Sequence, residues 1–467
     1  MVALSARYAR HPMFWVACLY IVEGLPLGVF FELLPVFMRQ EGASLPAIGS
    51  LSLLGLAWPL KFLWAPLVDR YRFHQRWMVL VQMGMALSVL MLLYSHNMSP
   101  WMWWWIGVFV VLAATNDVVI DGYTIEMLHG QRLGIANGLR ISFYRVGLLL
   151  AGALLMVRDS LGWQVVWGLT ALMLFLFALV CARVPRLPNP SEGKDAQATL
   201  NWPTLAAAAL LTLCLVDQKA EFITVPVMFW LLMLAIAALL LLRKYAGSTP
   251  VKGENQEDRS WLMRPVMIPV LLFILFYKLP DSAMGMMVKP FWLDVGMSAT
   301  AIGAVSVNLG LALSIAGGLT GGWLTEKLGI FRALWLLGLT QAMSNLGYAG
   351  VAWWFAATEP EQMSRLALYG ASAVESFTGG LSTAAFLAFM MAIVKIRGAA
   401  SQYALLSSFF LLSRSLAGWA SGYGAEAWGY APYFLLTAGL MLPAYGLLPW
   451  VRKMLESQNR NMPEQHT

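Results

Sequence analysis

Twelve ionisable residues stand inside stretches otherwise apolar enough to cross a bilayer. The carboxyls are Glu23, Glu32, Asp117, Asp121, Glu126, Asp281 and Glu375; the cations are Lys61, Arg145, Lys278, Lys289 and Arg414. An ionised side chain at mid-bilayer costs about 2.5–3.5 kcal/mol on insertion scales, so each is a candidate for function. A buried carboxyl can take up and release a proton near neutral pH, which suits Glu23, Asp117, Asp121, Asp281 and Glu375 to proton coupling. Inward-facing cations offer charge-assisted hydrogen bonds to an anionic ligand, the role open to Lys61, Arg145, Lys278, Lys289 and Arg414. Asp117 and Asp121 are four apart, hence on one helix face, with no base within a turn. Lys278 and Asp281 are three apart and can pair within a helix. That spacing leaves open whether the pair does more than let both charges survive burial. Glu23 adjoins Gly24, Pro26 and Gly28, which break a helix and free backbone groups toward a cavity. Glu32 is expected near the outer rim and Glu126 near the interface.

The elements that must position these groups follow from composition. Of 467 residues, 59% are apolar and 12% charged, against about 45–50% and about 25% in soluble domains. This excludes an ordinary water-soluble enzyme and a disordered chain. Cys18, Cys181 and Cys214 form no CxxC, so neither a disulfide framework nor a zinc site is indicated. A spanning helix needs roughly 20 apolar residues. Such stretches recur at about 13–38, 47–68, 77–97, 100–127, 134–157 and 163–184, then at about 200–217 and 223–243. Six more follow, at about 265–293, 299–325, 332–357, 364–394, 402–424 and 430–451. The prediction is an all-α polytopic membrane protein of about 14 transmembrane helices. Its parts are a six-helix bundle (1–184), a linker with two extra helices (185–264), a second bundle (265–451) and a tail (452–467). The first apolar run carries Glu23 and Glu32 and is too long for a signal peptide, so it reads as the first span.

Lys and Arg set the orientation. With the N-terminus in the cytoplasm, that side collects Arg7, Arg10, Arg70, Arg72, Arg76, Arg132, Arg140, Arg183, Arg186, Lys194, the cluster from Arg243 to Arg264, Lys327, Arg332, Lys395, Arg397, Arg452 and Lys453. The other side keeps Arg39, Arg158, Lys219 and Arg365. The bias is roughly five to one and puts both termini in the cytoplasm. The net charge of +7 is therefore a topology signal, with anionic lipid as the ordinary partner and no support for nucleic acid.

The two six-span blocks repeat. Leu25-Pro26, Gly42 and Ala47-Ile48-Gly49 recur as Leu279-Pro280, Gly296 and Ala301-Ile302-Gly303 at a constant offset of 254. Parallel six-span repeats characterise the major facilitator architecture, with the substrate site between the halves near the midplane. Asp69-Arg70 and Gly322-x-x-x-Glu326-Lys327-x-Gly329-x-x-Arg332 resemble that superfamily's loop signature. By this resemblance Asp69, Arg70, Glu326 and Lys327 form a gate, where such pairs cap helix ends and bridge neighbouring helices in one state. Trp101, Trp103, Trp104 and Trp105 read as an interfacial aromatic belt. No Walker loop, GxSxG or HExxH occurs, so ATP-driven transport and hydrolysis lack a motif.

Several stretches carry a closer likeness. Leu60-Lys61-Phe62-Leu63-Trp64-Ala65-Pro66-Leu67-Val68-Asp69-Arg70, Asn116-Asp117-Val118-Val119-Ile120-Asp121-Gly122 and Tyr144-Arg145-Val146-Gly147 are three of them. Glu375 followed by Gly379-Gly380-Leu381-Ser382, and Gln402-Tyr403-Ala404-Leu405, complete the set. Together they resemble the peptide/acetyl-coenzyme A transporter family of the major facilitator superfamily, in particular its AmpG-type muropeptide permeases. The resemblance implies a carrier rather than an enzyme, without cofactor or metal and working as a monomer. It would sit in a bacterial inner membrane and import anhydro-muropeptides with protons by alternating access. It also implies roles for Lys61, Asp117, Asp121, Tyr144, Arg145 and Glu375, with Tyr144 among the substrate contacts. A siderophore importer of the same family, or an exporter of drug-like compounds, would use the same fold.

Overall fold

The computed structural model describes residues 12–61, 64, 65, 68, 73–93, 100–128, 133–185, 267–357, 365–393 and 399–460. Asp69, Arg70 and both expected central helices lie outside these residues. The described chain is helical, with no strand among the described residues. Twelve segments appear in it. The first half has α1 (Pro12–Gln40), α2 (Leu45–Leu60), α3 (His74–Leu92) and α4 (Pro100–Leu128). A stretch from Leu133 to Ala182 then breaks at Gly162 (φ 76°) into α5 (133–161) and α6 (163–182). The second half has α7 (Met267–Asp294), α8 (Ala299–Leu328), α9 (Ile330–Ala357), α10 (Arg365–Ala392) and α11 (Ala399–Trp428). It ends with α12, whose pieces Tyr430–Gly439 and Leu442–Arg460 are joined by a turn.

The repeat seen in the sequence is a repeat of geometry. Gly42 (φ 83°) and Gly296 (φ 82°) turn the chain out of α1 and α7 in a left-handed conformation that favours glycine. The amide of Ala43 donates to the Met38 carbonyl and that of Met297 to the Trp292 carbonyl, both at 2.9 Å, closing matching helix ends. Ser44 and Ser298, again 254 apart, then cap the next helix by accepting from the amides of Ala47 (3.3 Å) and Ala301 (3.1 Å).

The matching Gly49 and Gly303 lie where the halves touch. A Cβ on Gly49 would stand 2.8 Å from the Trp419 carbonyl oxygen of α11, and one on Gly303 2.5 Å from the Gly152 carbonyl oxygen of α5. Small residues thus let α2 approach α11, and α8 approach α5, backbone to backbone.

The apolar core is forked. One buried cluster joins both halves, from Leu25, Phe30, Leu51 and Trp167 to Met284, Phe291, Ile302 and Phe434. At the other end of the helices, the end that carries most of the Lys and Arg, the core is two separate bodies. One holds Trp15, Tyr20, Val119 and Cys181 of the first half; the other holds Phe273, Leu334, Phe389 and Val451 of the second. The halves are therefore fused by apolar packing at the far end and packed separately at the basic end.

Candidate functional site

At the fork the polar groups of α1, α2, α4 and α5 meet. Gly24 and Gly147 bring α1 against α5: a Cβ on Gly147 would lie 2.6 Å from the Gly24 Cα. Glu23, one residue before that contact, is 5% exposed. Its carboxyl faces that of Asp117, which is 8% exposed. Lys61, at the end of α2's last described turn, pairs with Asp117 and stands 3.9 Å from Asp121. Arg140 grips Asp121 with two nitrogens at 3.0 and 3.2 Å, while the Tyr20 hydroxyl donates to the same carboxylate at 3.0 Å. The Arg140 guanidinium also lies 5.3 Å from the centre of the Tyr20 ring. Three carboxyls here meet two cations. Among the described residues no donor reaches the buried Glu23 Oε2, a costly arrangement for an ionised oxygen. One proton on the Glu23–Asp117 pair would turn two facing acceptors into a hydrogen bond and balance the charge.

Arg140 is a residue that sequence reasoning missed. Its position near a loop boundary counts it among the orientation charges, yet its side chain turns back into the bundle. The available signal is its i,i+4 spacing to Tyr144 on one face of α5.

A second group gathers around α7. That helix is interrupted at Lys278 (φ −103°, ψ 2°), with Pro280 opening the next turn. The Lys278 ammonium, on a residue 3% exposed, holds Asp281 at 2.6 Å and the Ser382 hydroxyl of α10 at 2.8 Å. The pairing within one helix that the spacing allowed is therefore formed. Lys289 pairs with Glu32 of α1 at 2.9 Å, so Glu32 joins the halves. Glu375 accepts from the neighbouring Ser376 hydroxyl at 3.3 Å and lies within electrostatic reach of Asp281, Lys289 and Lys278.

Between the two groups stands Arg414 of α11. Its guanidinium is 4.1 Å from the centre of the Phe31 ring of α1, and Tyr144, Glu32 and Asp281 are its charged or polar neighbours. Among the described residues, Arg414 and Arg145 form no ion pair, whereas Lys61, Lys278 and Lys289 each do. Tyr144 lies close to Glu23, Asp117, Arg140 and Arg414. Glu126 stands apart, 3.2 Å from His74. Glu326 and Lys327 end α8 exposed, with Lys327 3.9 Å from the centre of the Trp323 ring. Among the described residues the structure thus brings the coupling candidates together with Lys61, Tyr144, Lys278, Lys289 and Arg414, while Asp69 and Arg70 lie outside the described residues.

The family model described as Major Facilitator Superfamily matches residues 16–360. The chain belongs to that superfamily. It is 30% identical over 446 residues to the anhydromuropeptide permease of Escherichia coli (strain K12), covering 93% of this chain and 78% of that protein. It is 24% identical to a putative transporter, AmpG 4, of Rickettsia felis, over 96% of this chain and 99% of the relative. Among solved structures, a bacterial homologue of the human drug peptide transporters PepT1 and PepT2 superposes with a TM-score of 0.66 at 14% identity. That match covers 96% of this chain and 99% of the other. The nucleoside transporter NupG superposes with a TM-score of 0.64 at 12% identity, over 94% and 98%. These likenesses carry the fold. This superfamily member is a transmembrane transporter of the AmpG permease type, and the polar groups just described line the core of its two-bundle frame.

Proposed function

We propose that this transporter imports an anionic solute of the anhydro-muropeptide class together with protons, by alternating access. The observation that carries the reading is the unequal count at the fork, where, among the described residues, Glu23, Asp117 and Asp121 meet Lys61 and Arg140 alone. A cluster one cation short is neutral while it holds one proton and carries one net negative charge once that proton leaves, so release belongs to the state in which the cluster is open to water. Arg414, in no ion pair among the described residues and set between that cluster and the one around Lys278, anchors a carboxylate of the solute. The Tyr144 hydroxyl extends the same surface, Arg145 is taken as a substrate contact from the family likeness alone, and Glu375 with Asp281 offers a second proton site. Lys61, Lys278 and Lys289, each already holding a carboxylate, exchange partners as the halves rock. The solute class follows the Escherichia coli relative, named an anhydromuropeptide permease.

In this reading the forked core is the state open toward the cytoplasm, with the basic end and both termini on that side of a bacterial inner membrane. The exposed end of α8 with Glu326 and Lys327, together with Asp69 and Arg70, then acts in the opposite state. The carrier works as a monomer.

The test is uptake of labelled anhydro-muropeptide into proteoliposomes with and without an inward proton gradient. Gradient-driven accumulation is the expected result. Transport of ferric chelates instead would move the solute to the siderophore class. Efflux of drug-like dyes without muropeptide uptake would reverse the assignment of direction.

A further inference from the structure

At the basic end, outside both clusters, a groove of about 790 Å³ opens between the start of α9 and the end of α12. Its walls carry Phe331, Arg332, Trp335, Tyr445, Arg452 and Lys453. The Tyr445 hydroxyl donates to the Trp335 carbonyl at 2.6 Å and ties the two helices at the groove's inner edge. Arg452 lies over the Phe331 ring (5.9 Å) and pairs with Glu456 at 2.9 Å, so one of the three cations is partly answered within the protein. Arg332 and Lys453 are exposed, and the pair-forming carboxylate leaves the groove with a net positive charge.

Below the groove α9 presents an apolar stripe one helical turn apart: Trp335 (46% exposed), Leu339 (42%) and Met343 (58%). That stripe runs from the cations toward the middle of the span. The corresponding junction of the first half, between α3 and α6, is closed: the Gln75 amide donates to the Ala182 and Val184 carbonyls. Among the described residues the two junctions therefore differ, tied in the first half and open in the second.

We propose that this groove seats the phosphate of an acidic phospholipid between Arg332, Arg452 and Lys453. The acyl chains follow the Trp335–Leu339–Met343 stripe into the bilayer. Cations at headgroup depth attract anionic lipid, and an aromatic–apolar stripe leading away from them suits a chain-bearing ligand over free phosphate.

The test uses the full-length protein, stripped of lipid in detergent and titrated by native mass spectrometry. The probes are phosphatidylglycerol, phosphatidylcholine and inorganic phosphate. Wild type should bind phosphatidylglycerol at least tenfold more tightly than phosphatidylcholine. The triple variant Arg332→Gln, Arg452→Gln, Lys453→Gln should lose that preference, while Arg365→Gln, which removes one exposed cation at the start of α10, should keep it. Equal retention by the triple variant overturns the proposal, and so does an equal response to inorganic phosphate alone. If the triple variant does not fold, photoactivatable phosphatidylglycerol on wild type decides: adducts must map to residues 331–343 and 445–456, and labelling confined to other helices overturns the site.

Discussion

Arg39 at the end of α1 and Asp294 at the end of α7 form a two-pronged ion pair across the halves. Nε and Nη2 of the arginine stand 2.6 and 2.5 Å from the two carboxylate oxygens. Tyr430 donates to the same carboxylate at 2.6 Å. Close by, Asp159 accepts from the Thr300 amide at 2.7 Å, joining the α5–α6 turn to the start of α8. These ties sit above the single far-end core, so the state seen here is latched by polar contacts outside and apolar packing within.

Breaking the latch should favour the opposite state. Both side chains are about a quarter exposed, so the pair is worth about 0.5–1 kcal/mol, or a two- to five-fold shift in population. In a background with Cys18, Cys181 and Cys214 replaced by alanine, a cysteine at fully buried Val36 reports opening. Arg39→Gln should raise its rate of reaction with an impermeant maleimide by that factor, and the swap Arg39→Asp with Asp294→Arg should restore it. An unchanged rate in Arg39→Gln means that the latch carries no weight.

Coupling is tested by counting protons at Glu23. Glu23→Gln keeps the shape and a permanent donor toward Asp117 but cannot release a proton. Uphill accumulation should fall to equilibration, while solute exchange across the membrane stays within about twofold of wild type. Asp117→Asn should lose accumulation as well, since it deprives Lys61 of its paired carboxylate. Gradient-driven accumulation by either variant at the wild-type level would remove that residue from the coupling path.

Arg414 should set affinity. A charge-assisted hydrogen bond to a carboxylate is worth about 1.5–3 kcal/mol, so Arg414→Gln should raise the half-saturation concentration roughly ten- to hundred-fold. Arg414→Lys should recover part of this, because it keeps the charge and loses the planar fork. An amidated solute lacking the carboxylate should be transported equally by wild type and variant. If both solutes respond alike, Arg414 serves the helix packing against Phe31 instead.

What could be read in the sequence divides by range. The repeat was visible because Gly42 and Gly296 answer the same local demand, a left-handed turn, at the offset shared by the Leu-Pro and Ala-Ile-Gly runs on either side. The Lys278–Asp281 pair was visible because it is formed within one helix. Arg39–Asp294 and Lys289–Glu32 join residues more than 250 apart, and nothing in their local surroundings marks them as partners. Arg140 was hidden by the opposite problem, since a cation near a helix end reads as a topology signal until its direction is known.

The last prediction separates packing inside a half from packing between halves. A Cβ on Gly147 would stand 2.5 Å from the Ile21 carbonyl oxygen, and one on Gly49 2.8 Å from that of Trp419. Both clashes are with backbone, which cannot swing aside, and such overpacking costs about 1–3 kcal/mol. The α1–α5 contact lies inside one bundle and persists in every state of a rocking carrier. Gly147→Ala should therefore lower the unfolding temperature by several degrees and leave the Val36 cysteine as slow to label as before. The α2–α11 contact lies between bundles and can be relieved by opening the far end. Gly49→Ala should accordingly speed labelling several-fold with a smaller loss of unfolding temperature. If the two variants behave alike in both assays, the two contacts are not divided between rigid bundle and moving interface.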